Sequence, residues 1–366
     1  QISKGRIKEF DLPSHKSKKI KIDIPEMNDL GEYHLNIYAK NKFKNDLIPN
    51  DYIVAYDQFF FGENRIPINE KLDGKSIKIT QNKKRLILDG EEFKISFNKE
   101  NGRLTEINYG NENIILQGIK PNFWRAPIDN DYGFFMPFKL KVWKQASKKQ
   151  LFEKIKVKNF KKKGVEINTK YYMPNIKGFV EVTYNVLTNG KIIVKTSLSE
   201  ISKKLPMLPL FGTNFIIDES YDNVSWFGRG PHENYQDRKK SALLGIYNDK
   251  VSQMYFPYIR PQENGNRTDT RWLSLTNSEG NGIIIESSNH FEFSSHHQYN
   301  DDFDGGDRKS QTHTYDIIRR PIVNLNINYK QMGVGGDNSW GAQPHDEYKI
   351  KPGNISFNYS ISPIVQ

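Results

Sequence analysis

Short runs in which apolar and polar residues alternate recur along this chain of 366 residues. Alternation with a period of two is typical of strands that bury only one face. Only residues 140–150 show helical spacing, with Leu140, Trp143 and Ala146 three apart. The pattern therefore predicts an all-β protein, with strands at 18–24, 32–39, 52–61, 85–88, 92–98, 103–109, 165–172, 178–187, 191–198, 214–217, 282–287 and 322–330.

These strands divide into two groups. The first three lie within residues 1–64 and predict part of a small antiparallel β-sandwich, truncated at its N-terminus because a full sandwich needs about seven strands. A turn-rich stretch predicts a linker over residues 65–76. Residues 77–366 contain neither a further boundary nor a fixed-period repeat, so we expect one large antiparallel β domain there.

Composition excludes several classes of protein. Hydrophobic residues make up 36% of the chain, and no run of about 18 apolar residues exists that would span a membrane. The chain contains no cysteine, which excludes disulfides and thiolate sites. Its net charge is +11, but the cations are spread along the chain without a recognisable module, so we expect no nucleic-acid partner.

The chain begins with Gln1 and shows no basic leader followed by an apolar core. We therefore expect it to be part of a longer protein. Its compartment, cytoplasm or periplasm, is left open by the sequence.

Four polar motifs carry the residues best suited to function. Motif 1, residues 122–133, contains Arg125, Asp129 and Asp131. Buried Arg and Asp must pair, so an internal ion-pair network is the favoured interpretation. Gly133, which precedes an apolar run, is a candidate hinge.

Motif 2, residues 226–238, contains a Gly-Pro turn followed by His232 and Glu233. These two side chains suit an acid–base pair, but a hydrogen-bonded structural corner is the favoured interpretation. Other polar residues of the motif are assigned to the same structural network: Asn234, Asp237 and Arg238.

Motif 3, residues 261–272, contains Glu263 and Asn264, followed by alternating charges. Alternation would place Arg267, Asp269 and Arg271 on one face of a strand, which predicts an ion-pair ladder.

Motif 4, residues 332–340, is rich in glycine and includes Asp337 and Trp340. A Trp in a polar, turn-rich context suits stacking on a sugar, because the apolar face of a pyranose packs on an indole. A core Trp is the alternative. The glycines do not form a phosphate-binding loop, since no Lys-Ser or Lys-Thr follows them.

Two further patterns suggest a metal but predict none. Residues 300–305 match the first half of a calcium loop, but Gln311 stands where the bidentate Glu belongs, so a solvated acidic loop is predicted. His296 and His297 are adjacent in the sequence. Because neighbours in a strand point to opposite faces, the two histidines are not expected to bind the same metal ion.

Taken in order and at their separations, the four motifs resemble the C-terminal domain, or small chain, of the five-domain β-galactosidases of glycoside hydrolase family 2. The resemblance covers about residues 75–366, and residues 56–61 resemble the end of the immunoglobulin-like domain that precedes it. It implies a large antiparallel supersandwich similar to galactose mutarotase-like domains.

The resemblance also implies a role for single residues. Trp340 would stack on the sugar at the rim of the active site, and Gly133 would begin a mobile loop beside it. The catalytic glutamates of these retaining enzymes lie in a TIM barrel, so none of the catalytic residues is expected in this chain. The magnesium and sodium sites of the family lie mainly in other domains, so no cofactor is expected here.

The implied partners are a β-galactoside substrate and the barrel of the same parent chain, and a homo-oligomeric parent is compatible with the resemblance. Because the barrel is missing, we expect this chain alone to be inactive. A stand-alone carbohydrate-binding module is the alternative. An aldose mutarotase is the second, with an acid and a base drawn from His232, Glu263, His290 and His313.

Overall fold

The computed structural model describes residues 2–7, 11–27, 31–62, 76–110, 112–309, 312–338 and 340–366. The chain divides into two compact units, Gln1–Pro67 and Ile68–Gln366. The predicted linker over 65–76 lies almost wholly outside the described residues and stays a prediction. No helix in the described part of the chain is long and apolar enough to cross a membrane.

The first unit contains one antiparallel pair of strands, β1 (Glu32–Lys40) and β2 (Ile53–Gly62), with Tyr38 opposite Tyr56. Two of the three predicted strands are therefore present. The strand predicted at 18–24 is wrong, because those residues are exposed and not in a strand. No described strand lies beside them, and an unpaired strand leaves its backbone groups without ladder hydrogen bonds.

Most of the regular secondary structure of the second unit consists of antiparallel strands. The strands are β3 (Lys78–Gln81), β4 (Arg85–Asp89), β5 (Phe93–Asn98), β6 (Leu104–Tyr109), β7 (Glu112–Asn113), β8 (Ile115–Asn122), β9 (Leu151–Asn159), β10 (Val165–Met173), β11 (Gly178–Val186), β12 (Ile192–Ser199), β13 (Leu210–Asp218), β14 (Asn223–Gly230), β15 (Leu243–Lys250), β16 (Arg267–Thr276), β17 (Gly282–His296), β18 (Ile322–Gln331) and β19 (Ile355–Ile364). The α-helices are α1 (Asp129–Gly133), α2 (Met136–Lys139), α3 (Lys141–Lys148) and α4 (Val251–Met254). Four 3₁₀ turns cover Lys161–Lys163, Asn300–Phe303, Thr314–Asp316 and Asp346–Tyr348.

These strands form two sheets. Five of them, β3 to β7, follow one another in chain order. The other twelve form a branched sheet, with the path β15-β14-β16-β17-β19-β12-β11-β10-β9 and a branch β18-β13-β8. The branch begins at β17, whose 15 residues pair with β19 near Ile284 and with β18 near Ser294.

Aromatic contacts join the small sheet to the large one. Phe97 of β5 meets Tyr184 of β11 edge to face, with ring centroids 5.0 Å apart. The Tyr109 hydroxyl donates to the Gly190 carbonyl over 2.8 Å. In β10 and β11 every second residue is buried, as the alternation in the sequence predicts.

The all-β prediction is confirmed, and the predicted helix corresponds to α3. The sequence pattern missed β3, β7, β8, β9, β14, β15, β16 and β19. In β16 the buried positions include Arg267, Thr268, Thr270 and Arg271. A strand that buries polar residues shows no apolar alternation, so it cannot be found from that signal.

Phe97→Ala should lower the free energy of unfolding by about 3–5 kcal/mol, because it leaves a cavity between the two sheets and removes the ring contact with Tyr184. Urea unfolding followed by circular dichroism measures this change. Phe160→Ala, at a half-exposed ring, is the matched control and should cost far less. Equal losses in the two variants would contradict the predicted packing.

Candidate functional site

A buried ion pair organises motif 1. The Arg125 and Asp131 side chains are only 1% and 2% exposed, and Nη1 lies 2.5 Å from Oδ2. Burial raises the pKa of the Asp131 carboxyl, and the Arg125 guanidinium opposes that rise. Asp131 also accepts from the Ile128 amide over 2.8 Å. Arg125 Nη2 donates to the Gly333 carbonyl over 3.4 Å, which ties motif 1 to motif 4.

Asp129 links motif 1 to the segment before motif 3. Its carboxylate accepts from Arg260 Nη2 over 2.6 Å and lies 3.0 Å from Lys309 Nζ. The Arg260 guanidinium also lies over the Tyr132 ring, 4.9 Å from its centroid. Arg260 is therefore held against motif 1, and Ile259 is the residue that precedes it in the chain.

Glu233 joins motif 2 to motif 3. Its carboxylate accepts from Arg238 Nη2 over 2.6 Å, from the Gly265 amide over 2.8 Å and from the Tyr258 hydroxyl. The neighbouring His232 has a different partner, because its Nε2 lies 3.0 Å from Ser241 Oγ. These contacts favour the structural corner over an acid–base pair.

Asn234 joins the same two motifs. Its side-chain oxygen accepts from the Thr268 amide over 2.9 Å, and its backbone amide donates to the Asn266 carbonyl over 2.8 Å. In motif 3, Asn264 Oδ1 lies 3.0 Å from His296 Nε2. Amide groups thus join motifs 2 and 3 in addition to the Glu233 carboxylate.

The ion-pair ladder predicted in motif 3 is wrong. Asp269 has a φ of 51°, and the register shifts in this part of β16, so the side chains no longer alternate. Asp269 pairs instead with Arg229 at 2.5 Å and with Lys239 at 3.0 Å. Burial lowers the pKa of Arg267 to about 10, and its Nη1 donates to a backbone carbonyl, that of Gly265.

Asp237 anchors motif 4. Its carboxylate accepts from the Gly335 amide over 2.7 Å and from the Val334 amide over 3.1 Å. On the other side, the Gly333 amide donates to the Tyr348 carbonyl over 2.9 Å. The backbone amides at the start of the motif therefore donate three hydrogen bonds, two to the Asp237 carboxylate and one to the Tyr348 carbonyl.

Trp340 lies at the exposed end of motif 4, with 88% of its surface accessible. The alternative of a core Trp is thus wrong. The Trp340 amide donates to Asn338 Oδ1 over 2.9 Å, and Asp337 pairs with His345 at 2.8 Å. The backbone of the motif is anchored, while the indole itself faces solvent.

Gly133 and Gly341 pack backbone against backbone beside Trp340. A Cβ on Gly341 would lie 2.2 Å from the Gly133 carbonyl carbon, and its φ of +104° also disfavours other residues. The candidate hinge therefore contacts the loop that carries the indole. Whether the segment after Gly133 moves stays a prediction.

Two glutamates, the half-buried Glu263 and the buried Glu292, contact this network. Burial raises the pKa of Glu263 and of Glu292 to about 7. Glu263 lies 3.5 Å from Gln331 Nε2, and Glu292 accepts from Gln236 over 2.7 Å and from Asn266 over 3.2 Å. Sequence reasoning missed Glu292, although an acid between two phenylalanines of a strand could have marked it.

The calcium-like segment uses its acids in ion pairs: Asp301 with Lys148, Asp302 with Arg320, and Asp304 with Lys144. Gln311 lies outside the described residues. Burial lowers the pKa of His296 to about 3, and the His297 ring has its own partner, the Ile322 carbonyl. Among the described residues, no group of three or more His, Asp or Glu could hold a metal ion.

The residues considered for a mutarotase have separate partners. His232 lies against Ser241 and Glu263 against Gln331, whereas the His313 ring stacks on Tyr315, 5.4 Å between centroids. These contacts do not bring an acid and a base together.

Comparison with known proteins gives a consistent result. Residues 89–361 match the family described as Beta galactosidase small chain. The β-galactosidase of Priestia megaterium is 34% identical over 317 residues, covering 86% of this chain and 30% of that protein. The β-galactosidase of Halalkalibacterium halodurans is 28% identical over 344 residues, covering 92% and 33%. The chain spans about a third of the length of these curated relatives.

Among solved structures, the galactose 1-epimerase from Lactobacillus acidophilus NCFM aligns with a TM-score of 0.43 and 9% identity. The alignment covers 81% of this chain and 96% of that one.

Gly341→Ala should displace the loop that carries Trp340, because the added methyl group meets the Gly133 backbone. We expect a lower unfolding temperature and faster chymotrypsin cleavage after Trp340. Gly353→Ala is the matched control, since nothing lies within 4 Å of its added Cβ. Identical cleavage rates in the two variants would argue against the backbone contact.

Glu292→Gln should become more stable relative to the unchanged protein as the pH rises from 5 to 8. Burial raises the folded-state pKa of Glu292 from 4.5 to about 7. Its contribution to stability is complete below the unfolded value and is lost as the pH rises through the folded value. Over this range the difference between the two proteins should reach about 3 kcal/mol at most.

Urea unfolding at each pH measures this difference, with the exposed Glu279→Gln as the control. A difference that stays constant from pH 5 to 8 would show that Glu292 does not titrate in this range.

Proposed function

Since this chain belongs to the β-galactosidase small-chain family, we propose that it is the C-terminal part of a retaining β-galactosidase, where it forms the rim of the active site. The family predicted from the four motifs is confirmed. The relatives are about three times as long as this chain, which supports a catalytic body elsewhere in a longer parent.

Trp340 is the observation that carries the proposal. Its indole is 88% exposed, although burial of a large ring is favourable. The backbone of its loop is held by Asp237, Asn338 and the contact with Gly133. A ring on a preorganised loop loses little entropy when a pyranose stacks on it, so such a loop suits sugar binding.

Exposed apolar side chains beside motif 1 support a partner surface. Phe135, Phe138 and Ile259 are all exposed. They follow or flank segments that contact motif 1, and Gly133 of that motif touches the loop of Trp340. Exposed large apolar groups close together mark an interaction surface. We assign it to the catalytic barrel of the same parent.

In the proposed reaction, one carboxylate attacks the anomeric carbon while a second carboxylic acid protonates the departing oxygen, and water then releases the galactosyl group. Such a pair stands about 5–5.5 Å apart. Two glutamates of the network that the motifs form are engaged in other contacts, since Glu233 binds Arg238 and Glu292 binds two amides. The reacting carboxyls are therefore assigned to the barrel, and this chain alone should be inactive.

A stand-alone carbohydrate-binding module uses the same indole but requires sugar affinity in the isolated chain. Full exposure of Trp340 favours this alternative to the same degree. A binding module would bind sugar without the barrel, whereas an active-site rim needs the barrel to complete the sugar site. Sugar binding by the isolated chain therefore distinguishes the two functions.

A chimera of the Priestia megaterium β-galactosidase, in which this chain replaces the matching third, tests the role of the indole. Trp340→Ala should weaken binding of the leaving group or acceptor by about 1–3 kcal/mol, since one stacking face is lost. The loss should appear mainly in KM, with kcat changed less. Trp340→Phe keeps a ring and should recover part of the affinity, and unchanged acceptor preference in Trp340→Ala would contradict the assignment.

The isolated chain provides the second measurement. It should not hydrolyse o-nitrophenyl β-galactoside above the blank. Turnover would contradict the proposal that the reacting carboxyls lie in the barrel. Titration with lactose, followed by Trp fluorescence, should give weak binding or none. Firm binding that disappears in Trp340→Ala would instead support the stand-alone module.

A further inference from the structure

Two adjoining clefts lie behind the loop that carries Trp340. The first, of about 400 Å³, is lined by residues 236–241, Lys330, Gln331 and residues 347–350. The second, of about 350 Å³, lies between β16, β17 and the end of β18. Gln236 and Lys330 line both clefts, so together they form one groove. We call it the β18 groove.

The β18 groove is next to motif 4 because two of its walls hold that motif. Asp237 of the first cleft accepts from the amides of Val334 and Gly335. Tyr348, also in the first cleft, accepts from the Gly333 amide. Two residues of the groove wall, Asp237 and Tyr348, are therefore hydrogen-bonded to the motif that carries Trp340.

Positive charge dominates the first cleft. Its wall contains five cations and two acids: Arg238, Lys239, Lys240, Lys330 and Lys349 against Asp237 and Glu347. Three of the cations already have acidic partners: Arg238 with Glu233, Lys239 with Asp269, and Lys349 with Asp346. Within the described part of the chain no acid pairs with Lys240 or Lys330, so both ammonium groups can meet a ligand.

Hydrogen-bonding groups dominate the second cleft. Glu292 is 1% exposed, and its carboxylate accepts from the amide side chains of Gln236 and Asn266. The Tyr329 ring lies beside them, with Lys330 Nζ 5.6 Å from its centroid. Carboxylates and a flat ring are the groups that sugar hydroxyls and a sugar face require.

A buried acceptor in the groove still lacks a donor. Gln331 is 2% exposed and lines the first cleft, yet its Oε1 has no hydrogen-bond partner among the described residues. Buried polar atoms are nearly always satisfied, so an unpaired one in a cleft wall indicates a ligand or water. A hydroxyl group would satisfy it.

We propose that the β18 groove is a second binding site of this chain and that it takes an anionic oligosaccharide, whose sugar rings carry sulfate or carboxylate groups. The anionic groups contact Lys240 and Lys330, and the hydroxyls contact Gln331 and Glu292. The site is distinct from stacking on Trp340 and does not depend on the proposed role of that indole.

The acids in the groove walls favour a saccharide over a nucleic acid. Asp269, Glu292 and Glu347 would repel a continuous phosphate backbone, while they accept hydrogen bonds from hydroxyls. Binding of single-stranded nucleic acid also relies on successive aromatic platforms, whereas the second cleft offers the ring of Tyr329. A charged sugar needs this mixture of cations and acceptors.

Calorimetric titration of the whole chain tests the proposal. The probes are a galactose tetrasaccharide with one sulfate per ring, the same tetrasaccharide without sulfate, tetragalacturonate, and a single-stranded DNA hexamer. The two anionic saccharides should bind at least about tenfold more tightly than the neutral one, and their binding should weaken as salt is raised, because exposed ion pairs are screened.

The double variant Lys240→Gln, Lys330→Gln should lose about tenfold in affinity for the sulfated probe, the effect of two exposed charge contacts. The matched control Lys162→Gln, Lys163→Gln removes the same charge from the turn between β9 and β10, at the other edge of the large sheet. It should lose no more than about twofold. Circular dichroism verifies that both variants fold.

Trp340→Ala should leave this binding unchanged, so the proposal can fail or succeed independently of the active-site rim. Equal losses in the two lysine pairs would show attraction by net charge alone and overturn the site. Tighter binding of the DNA hexamer, or equal affinity for sulfated and neutral sugar, would overturn the assigned ligand class.

Discussion

The arrangement of the four motifs depends on the buried ion pair between Arg125 and Asp131. Charges removed from water must be paired, and breaking such a pair costs about 3–5 kcal/mol. The pair closes the turn of motif 1, while the rest of the guanidinium reaches the Ala126 and Gly333 carbonyls. The chain that leaves β18 thus brings the Gly333 carbonyl of motif 4 to Arg125.

The other contacts of motif 4 extend from the Arg125–Asp131 ion pair. The Asp237 carboxylate accepts hydrogen bonds from the next two backbone amides of motif 4. Close packing of Gly133 and Gly341 then brings the far end of the Trp340 loop against motif 1. The result is an exposed indole on an anchored loop, with a charged groove behind it. One network of structural contacts thus supports two exposed surfaces of different chemistry, an aromatic one and a charged one.

Strands with a clean alternation could be predicted from the sequence, as β10 and β11 illustrate. Strands that bury polar groups could not, because β16 hides Arg267 and Arg271 where apolar residues are expected. The opposite error occurred at residues 18–24, where alternation exists without a neighbouring strand. In both cases the deciding factor is a partner that is distant in sequence.

The sequence by itself determined that this chain is built from strands, that its four motifs belong together, and that their charges must be paired. These properties depend on local periodicity, residue type and the cost of burying charge. Only the tertiary structure decided the partners: Asp269 pairs with Arg229 and Lys239, and Trp340 points into solvent. Pairing and exposure depend on which segments the fold brings together, and one β-bulge or one glycine contact is enough to change them.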